Sequence, residues 1–192
     1  MAVTLSKGQK VQLKKSSGST LTEVRMGLGW DARKVRTLFG RLKEQAIDLD
    51  ASCLLFDDAK KLLDQVWFRQ LRSQDGALQH LGDNQTGAGE GDDESIVVHL
   101  EKVSPAVTTL VFVVNSYSGE TFSQIDNAFC RLVDSTTEQE IARYDLSGSG
   151  SHTAQIMAKL TRSGAGWDMT ALGVRTEGRT ITTMLPAVLN VL

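Results

Sequence analysis

The chain has 192 residues, 41% hydrophobic and 23% charged, enough for one domain with a real core and too few for a comfortable second. Its formal net charge of −2 argues against nonspecific nucleic-acid binding, and no apolar run approaches a signal peptide or the roughly 20 residues of a membrane span. Charge is nonetheless segregated: residues 1–47 carry ten Lys or Arg against Glu23, Asp31 and Glu44, while residues 73–101 hold no Lys or Arg at all.

In chain order, KVQLKK, LTEVRMGL, AIDLDASCLLF, SIVVHL, TLVFVVN, AFCRLV, EIARYDL, TAQIMAKL and GWDMTALGV are short runs, mostly alternating or β-branched, spaced by Gly, Ser, Asn and Asp. This rhythm predicts an all-β fold, an antiparallel β-sandwich of two packed sheets, with residues 1–192 as a single domain. KKLLDQVWFRQL has helical apolar spacing, but its QVWF favours a strand; QDGA at 74–77 is a tight-turn signal, and Pro105 and Pro186 fall beside runs. Residues 33–45 break the pattern as a basic insert, with Arg33, Lys34, Arg36, Arg41 and Lys43 against Glu44. Such an insert is either a solvated loop or a contact for an anionic partner, an acidic protein surface or lipid headgroups. Trp30, Trp67 and Trp167 are spread through strands as core or interface residues, and Trp30 could wall a site at Asp31. Cys53 and Cys130 sit in apolar runs without a neighbouring His or basic cluster, so they read as buried, reduced thiols of a cytoplasmic protein. SGSGSH at 147–152 lacks the lysine and helix start of a phosphate loop.

The densest chemistry is GDNQTGAGEGDDES, residues 82–95, with five carboxylates and four glycines. Side chains two apart on a strand share a face, so Asp48, Asp50 and Ser52 point one way and Ile47, Leu49, Ala51 and Cys53 the other. Two aspartates about 7 Å apart on one face repel, and a divalent cation held between them and the loop removes that cost. Ca²⁺ takes roughly 6 to 8 oxygen ligands, and the loop offers Asp83, Asn84, Thr86, Glu90, Asp92, Asp93 and Glu94. Zinc would ask for Cys or His, which the loop lacks; His80 and His99 flank it as surface or packing residues. The twelve residues DNQTGAGEGDDE are not an EF-hand: Gln85 and Gly87 stand where ligands belong, Ala88 where the glycine belongs, and the flanks look like strands.

GLGWD (27–31), DLDASCLLFD (48–57), GDNQTGAGEGDDE (82–94), NAFCRLV (127–133) and EIARYDL (140–146) together resemble the TerD family of bacterial tellurite-resistance and stress proteins. SHTAQIMAKLTRSGAGW (151–167) is similar to its TerZ branch. The resemblance covers nearly the whole chain and implies a β-sandwich holding two Ca²⁺ ions side by side. It also implies a place among other Ter-system proteins, in a membrane complex with TerC at the inner membrane. Matched by motif, the family's acidic positions fall on Asp31, Asp48, Asp50, Asp83, Asn84, Asp92, Asp93 and Glu94; the basic 33–45 insert departs from the pattern beside Asp31. The expectation is a non-enzymatic calcium-binding module without nucleic-acid partners. Two other readings stand beside it: a metal-dependent hydrolase or anion-binding enzyme using the acidic cluster, and thiol chemistry on tellurite through Cys53 and Cys130.

Overall fold

The computed structural model describes residues 3–4, 8–15, 18–36, 42–87 and 91–192. Its elements run β1 (Val3–Thr4), β2 (Lys10–Gln12), β3 (Glu23–Asp31), β4 (Arg33–Arg36), β5 (Leu42–Gln45), β6 (Leu49–Phe56), β7 (Leu62–Val66) and β8 (Leu78–His80). They continue with β9 (Glu94–His99), β10 (Thr109–Ser116), β11 (Asp126–Asp134), β12 (Gln139–Asp145), β13 (Ala154–Ser163), β14 (Gly166–Thr176) and helix α1 (Ile181–Leu189). One six-stranded sheet has the order β1-β12-β11-β3-β9-β8 and the other β2-β14-β13-β10-β6-β7, while β4 and β5 pair only with each other. Each run expected to be a strand contains one, β7 included. The pairings are antiparallel except at one edge, where β1 joins β12 in parallel.

Alternation explains the core. Val24, Met26, Leu28 and Trp30 on β3 face Leu49, Ala51, Cys53 and Leu55 on β6, all 2% exposed or less, and Phe112 and Val114 of β10 join them. Every residue of β6 is buried, because the opposite face of that sheet is covered too. Leu54, Phe56, Val111, Val113 and Ile156 pack there against Ile181, Met184 and Val188 of α1. Pro186, expected beside an element, lies inside this helix. It forfeits one intrahelical bond to the Thr182 carbonyl, at a place where Thr182 and Pro186 are both exposed to water.

Register brings several chain segments to one end of the sandwich. Asn115 and Ser116 at the end of β10 stand opposite Asp50 and Leu49 at the start of β6, and Val66 at the end of β7 opposite Cys53. In the other sheet Leu28 pairs with Glu94 and His80 with Ile96. The β4–β5 hairpin, formed by the outer parts of the basic insert, leaves the same end between Asp31 and Asp48; residues 37–41 lie outside the described residues.

Candidate metal centre

Asp48 precedes β6 and Asp50 lies within it, on the face that farther along the strand holds Leu54 and Phe56. Asp50 is 3% exposed, a burial that a carboxylate seldom tolerates unpaired. Its Oδ2 accepts a 2.9 Å hydrogen bond from Asn115 Nδ2, which also donates to the Arg179 carbonyl; two acceptors on one side settle which way the amide points. Asp48 is placed through its main chain: its N–H donates to Ser118 Oγ (3.0 Å), and its carbonyl accepts from the Tyr117 N–H (2.9 Å). Asp83 arrives from the β8–β9 connection. Carboxylate oxygens of Asp48, Asp50 and Asp83 all lie within 4.8 Å of one another.

Three successive acidic residues of the connection then take three different directions. Glu94, 2% exposed, reaches across the sandwich: Oε2 accepts from the Ala51 N–H (2.8 Å) and Oε1 from the Asn84 N–H (3.2 Å). His80 Nε2 stands 3.4 Å from Glu94 Oε2, and because His80 Nδ1 accepts from the Gly82 N–H, Nε2 carries the proton that faces the carboxylate. Asp93 accepts from the Trp30 N–H (2.9 Å) and from Asn84 Nδ2 (2.8 Å). Asn84 spends its own side-chain oxygen on the loop, accepting from the Thr86 N–H and hydroxyl and the Gly87 N–H. Asp92 turns away to the outer face of β3 and β11, where Arg131 Nε and Nη2 donate to it at 2.7 and 3.1 Å and Arg25 lies 3.8 Å off.

GLGWD is shaped for this crossing. A Cβ on Gly27 would stand 2.3 Å from the Asp92 carboxylate, and one on Gly29 2.4 Å from the Gly91 carbonyl oxygen. The two glycines thus let the connection lie on β3. Asp31, exposed at the end of β3, accepts from Asn127 Nδ2 (2.6 Å) and pairs in register with Asp126.

The electrostatics separate the members. Burial first, then Glu94, Asp48 and Asp83, push Asp50 up to about 8 against the help of Asn115. Burial and the charges of Asp83 and Glu120 raise Asp48. Glu94 is raised by burial despite His80 and two N–H donors, and Asp93 by burial, with Asp31 and Asp92 adding to it against the Trp30 N–H. Among the described residues no Lys or Arg pairs with Asp48, Asp50 or Asp83. Asp48 Oδ1 and Asn115 Oδ1 are buried without any hydrogen-bond partner, an arrangement that normally asks for a water or an ion. An all-oxygen donor set, acceptor-rich and lacking cationic partners, suits a hard divalent ion.

Of the residues the sequence nominates, Asp48, Asp50 and Asp83 come together, with Glu94 buried behind them. Asp93 and Asn84 brace the connection, Asp31 lies near Asp93 in a second acidic group, and Asp92 belongs to an arginine pair. Glu90 lies outside the described residues. Asn115, Ser118 and Glu120 escape the sequence reading, and His80, read there as a surface or packing residue, is buried beside Glu94. Asn115 does carry a signal, a lone amide closing the apolar run TLVFVVN.

A family model described as the TerD domain matches residues 1–185. The chain is 48% identical over 184 residues to the tellurium resistance protein TerZ of Serratia marcescens, covering 95% of this chain and 94% of that protein. It is 39% identical to the stress response protein SCP2 of Bacillus subtilis (strain 168), covering 92% and 94%. Among solved structures, a homologue of telluride resistance protein (TerD) from Streptomyces coelicolor A3(2) superposes with a TM-score of 0.72 over 85% of this chain and 95% of that one, at 19% identity. That last likeness speaks for the fold.

Proposed function

The chain belongs to the TerD family, and from that premise we propose that it is a non-enzymatic calcium-binding module of the bacterial tellurium-resistance and stress-response system. The observation that carries this is the Asp48, Asp50 and Asp83 cluster, three carboxylates within 4.8 Å with no Lys or Arg paired to them among the described residues and an orphaned carboxylate oxygen among them. Asp48, Asp50 and Asp83 hold one ion, with Glu94 behind them deepening the negative field. Asp31 and Asp93 are the candidates for a second. The bound cation supplies positive charge that ties the 82–94 connection of one sheet to β6 of the other and so orders this end of the sandwich. Calcium is favoured over magnesium because the donors come from separate segments and need not meet strict octahedral geometry.

The ordered end would then be read by other Ter proteins, with the membrane protein TerC as the anchor of the complex. A binding module is favoured over a metal-dependent hydrolase because the named relatives carry resistance and stress-response names.

Calorimetric titration of the chelator-treated protein with Ca²⁺ and with Mg²⁺ tests this directly. The expected result is a stoichiometry near two with calcium bound more tightly; absence of binding removes the proposal. Stability should rise with free calcium as binding linkage requires, by about 2.7 kcal/mol at a hundredfold excess over Kd. A phosphoester panel with Mg²⁺ or Mn²⁺ should stay silent; metal-dependent turnover lost in Asp50→Asn would favour the enzyme instead.

A further inference from the structure

Asp48 and Asp50 are both tied to one residue outside the acidic cluster, Arg179, in the turn before α1. Its guanidinium donates to two consecutive carbonyls, Nε to Tyr117 at 3.0 Å and Nη2 to Ser118 at 2.6 Å. The same two residues grip the main chain of Asp48 on both sides. Ser118 Oγ accepts from the Asp48 N–H at 3.0 Å, and the Tyr117 N–H donates to the Asp48 carbonyl at 2.9 Å. The Ser118 hydroxyl donates onward to Glu120. A second route starts at the Arg179 main chain, whose carbonyl accepts from Asn115 Nδ2 at 2.9 Å, while that amide also donates to Asp50 Oδ2 at 2.9 Å. Gly119 makes room for the guanidinium: its φ of 98° is one that glycine adopts readily, and a Cβ there would stand 3.0 Å from Arg179 Nη2.

A guanidinium joined to a carboxylate cluster through a single residue, Ser118, would ordinarily pair with one of the carboxylates, and such a pair would compete with a bound cation. Among the described residues Arg179 forms no ion pair; two carbonyls hold its fork instead. We propose that Arg179 is a positioning residue of the calcium site, fixing Asp48 through Tyr117 and Ser118, and Asp50 through Asn115, without touching the ion. The inference rests on the calcium reading above and concerns how that site is kept in shape. Contacts that orient metal ligands from outside commonly change metal affinity by about tenfold or more. An effect of charge alone would have the opposite sign. If Arg179 acted only through its positive charge, removing it would tighten the hold on a cation; positioning requires that removing it loosens that hold. Lys keeps the charge but cannot reproduce a planar fork on two carbonyls.

Calorimetric calcium titration, beside amide hydrogen exchange in chelator, tests this in wild type, Arg179→Ala and Arg179→Lys. Both variants should bind calcium about tenfold more weakly, and in both the Asp48 and Tyr117 amides should exchange faster than in wild type. The inference is overturned if either variant binds calcium as tightly as wild type or more tightly, or if those amides keep their protection. A lower Tm with unaltered affinity overturns it as well, since that describes a residue that supports only the fold. Ser118→Ala removes the acceptor of the Asp48 N–H and leaves Arg179 in place. It should also weaken calcium binding, and together with Arg179→Lys it decides the matter should Arg179→Ala fail to fold; wild-type affinity in Ser118→Ala counts against the inference. A wild type that binds no calcium removes the proposed function itself, whereas calcium binding in wild type with unaltered variants removes the role of Arg179 alone.

Discussion

Asp50 concentrates the energetics of the site in one residue. Removing its charge should have opposite consequences in the two states of the protein. In Asp50→Asn the calcium-induced rise in Tm is expected to vanish. Its Tm in chelator near pH 8 should match or exceed wild type, since the amide replaces a carboxyl whose charge is disfavoured by burial, Glu94, Asp48 and Asp83. A Tm several degrees lower in chelator would mean that Asp50 is a structural hydrogen-bond partner of Asn115 and not a ligand. Gly29 tests the other requirement, close approach. An alanine Cβ there would lie 2.4 Å from the Gly91 carbonyl oxygen and 2.6 Å from the Phe129 ring, and neither backbone nor a packed ring yields cheaply. Gly29→Ala should therefore cost about 1–3 kcal/mol in denaturant unfolding and weaken calcium binding by lifting the connection off β3.

At the scale of elements, β6 shows how one strand serves core and site together. Its sheet is covered on both faces, by the opposite sheet and by α1, so Asp50 is driven into an interior that Leu54 and Phe56 continue. Met184, fully buried between α1 and the sheet, should lose about 2–5 kcal/mol of stability on truncation to Ala with calcium affinity unaltered; a matched fall in affinity would show that the helix layer shapes the site. The strands were legible because apolar alternation repeats through the chain, and DLD at 48–50 was legible for the same reason. The helix was not: TITTMLPAVLNVL is β-branched and holds a proline, and burial of Ile181, Met184 and Val188 against the sheet outweighs that local preference. Nor could spacing assign the connection. Asp92, Asp93 and Glu94 are consecutive, yet their directions depend on where the chain joins β9 and on partners far away in sequence, Arg131 being 39 positions from Asp92. A loop rich in acids can be recognised without knowing which of them face inward.

For the molecule as a whole, the two sheets are joined at one end through buried acidic groups, so the stability of the sandwich and the occupancy of the site are coupled. The sign follows from Asp50, which burial and its acidic neighbours push up to about 8, above the ordinary carboxylate value of 3.8. A carboxyl raised on folding favours the folded state while both states are protonated. That contribution declines as pH climbs from the unfolded value and is lost once pH passes the folded one. In chelator, Tm should thus fall between about pH 7 and pH 8.5, at most by about 1.4 kcal/mol of stability per pH unit. His152, whose value burial lowers, penalises the fold only at pH below the ordinary histidine range. The raised thiols of Cys53 and Cys130 act only above this window. With saturating calcium the decline should flatten or reverse, because a bound cation requires the ionised carboxylate and its binding releases the proton. Thermal melts across this window, with Asp50→Asn as the variant that should show no decline in chelator, measure both slopes. A wild-type Tm that rises with pH in chelator would mean that Asp50 is already ionised in the folded protein, and that the cluster gains far less from a cation than its burial implies.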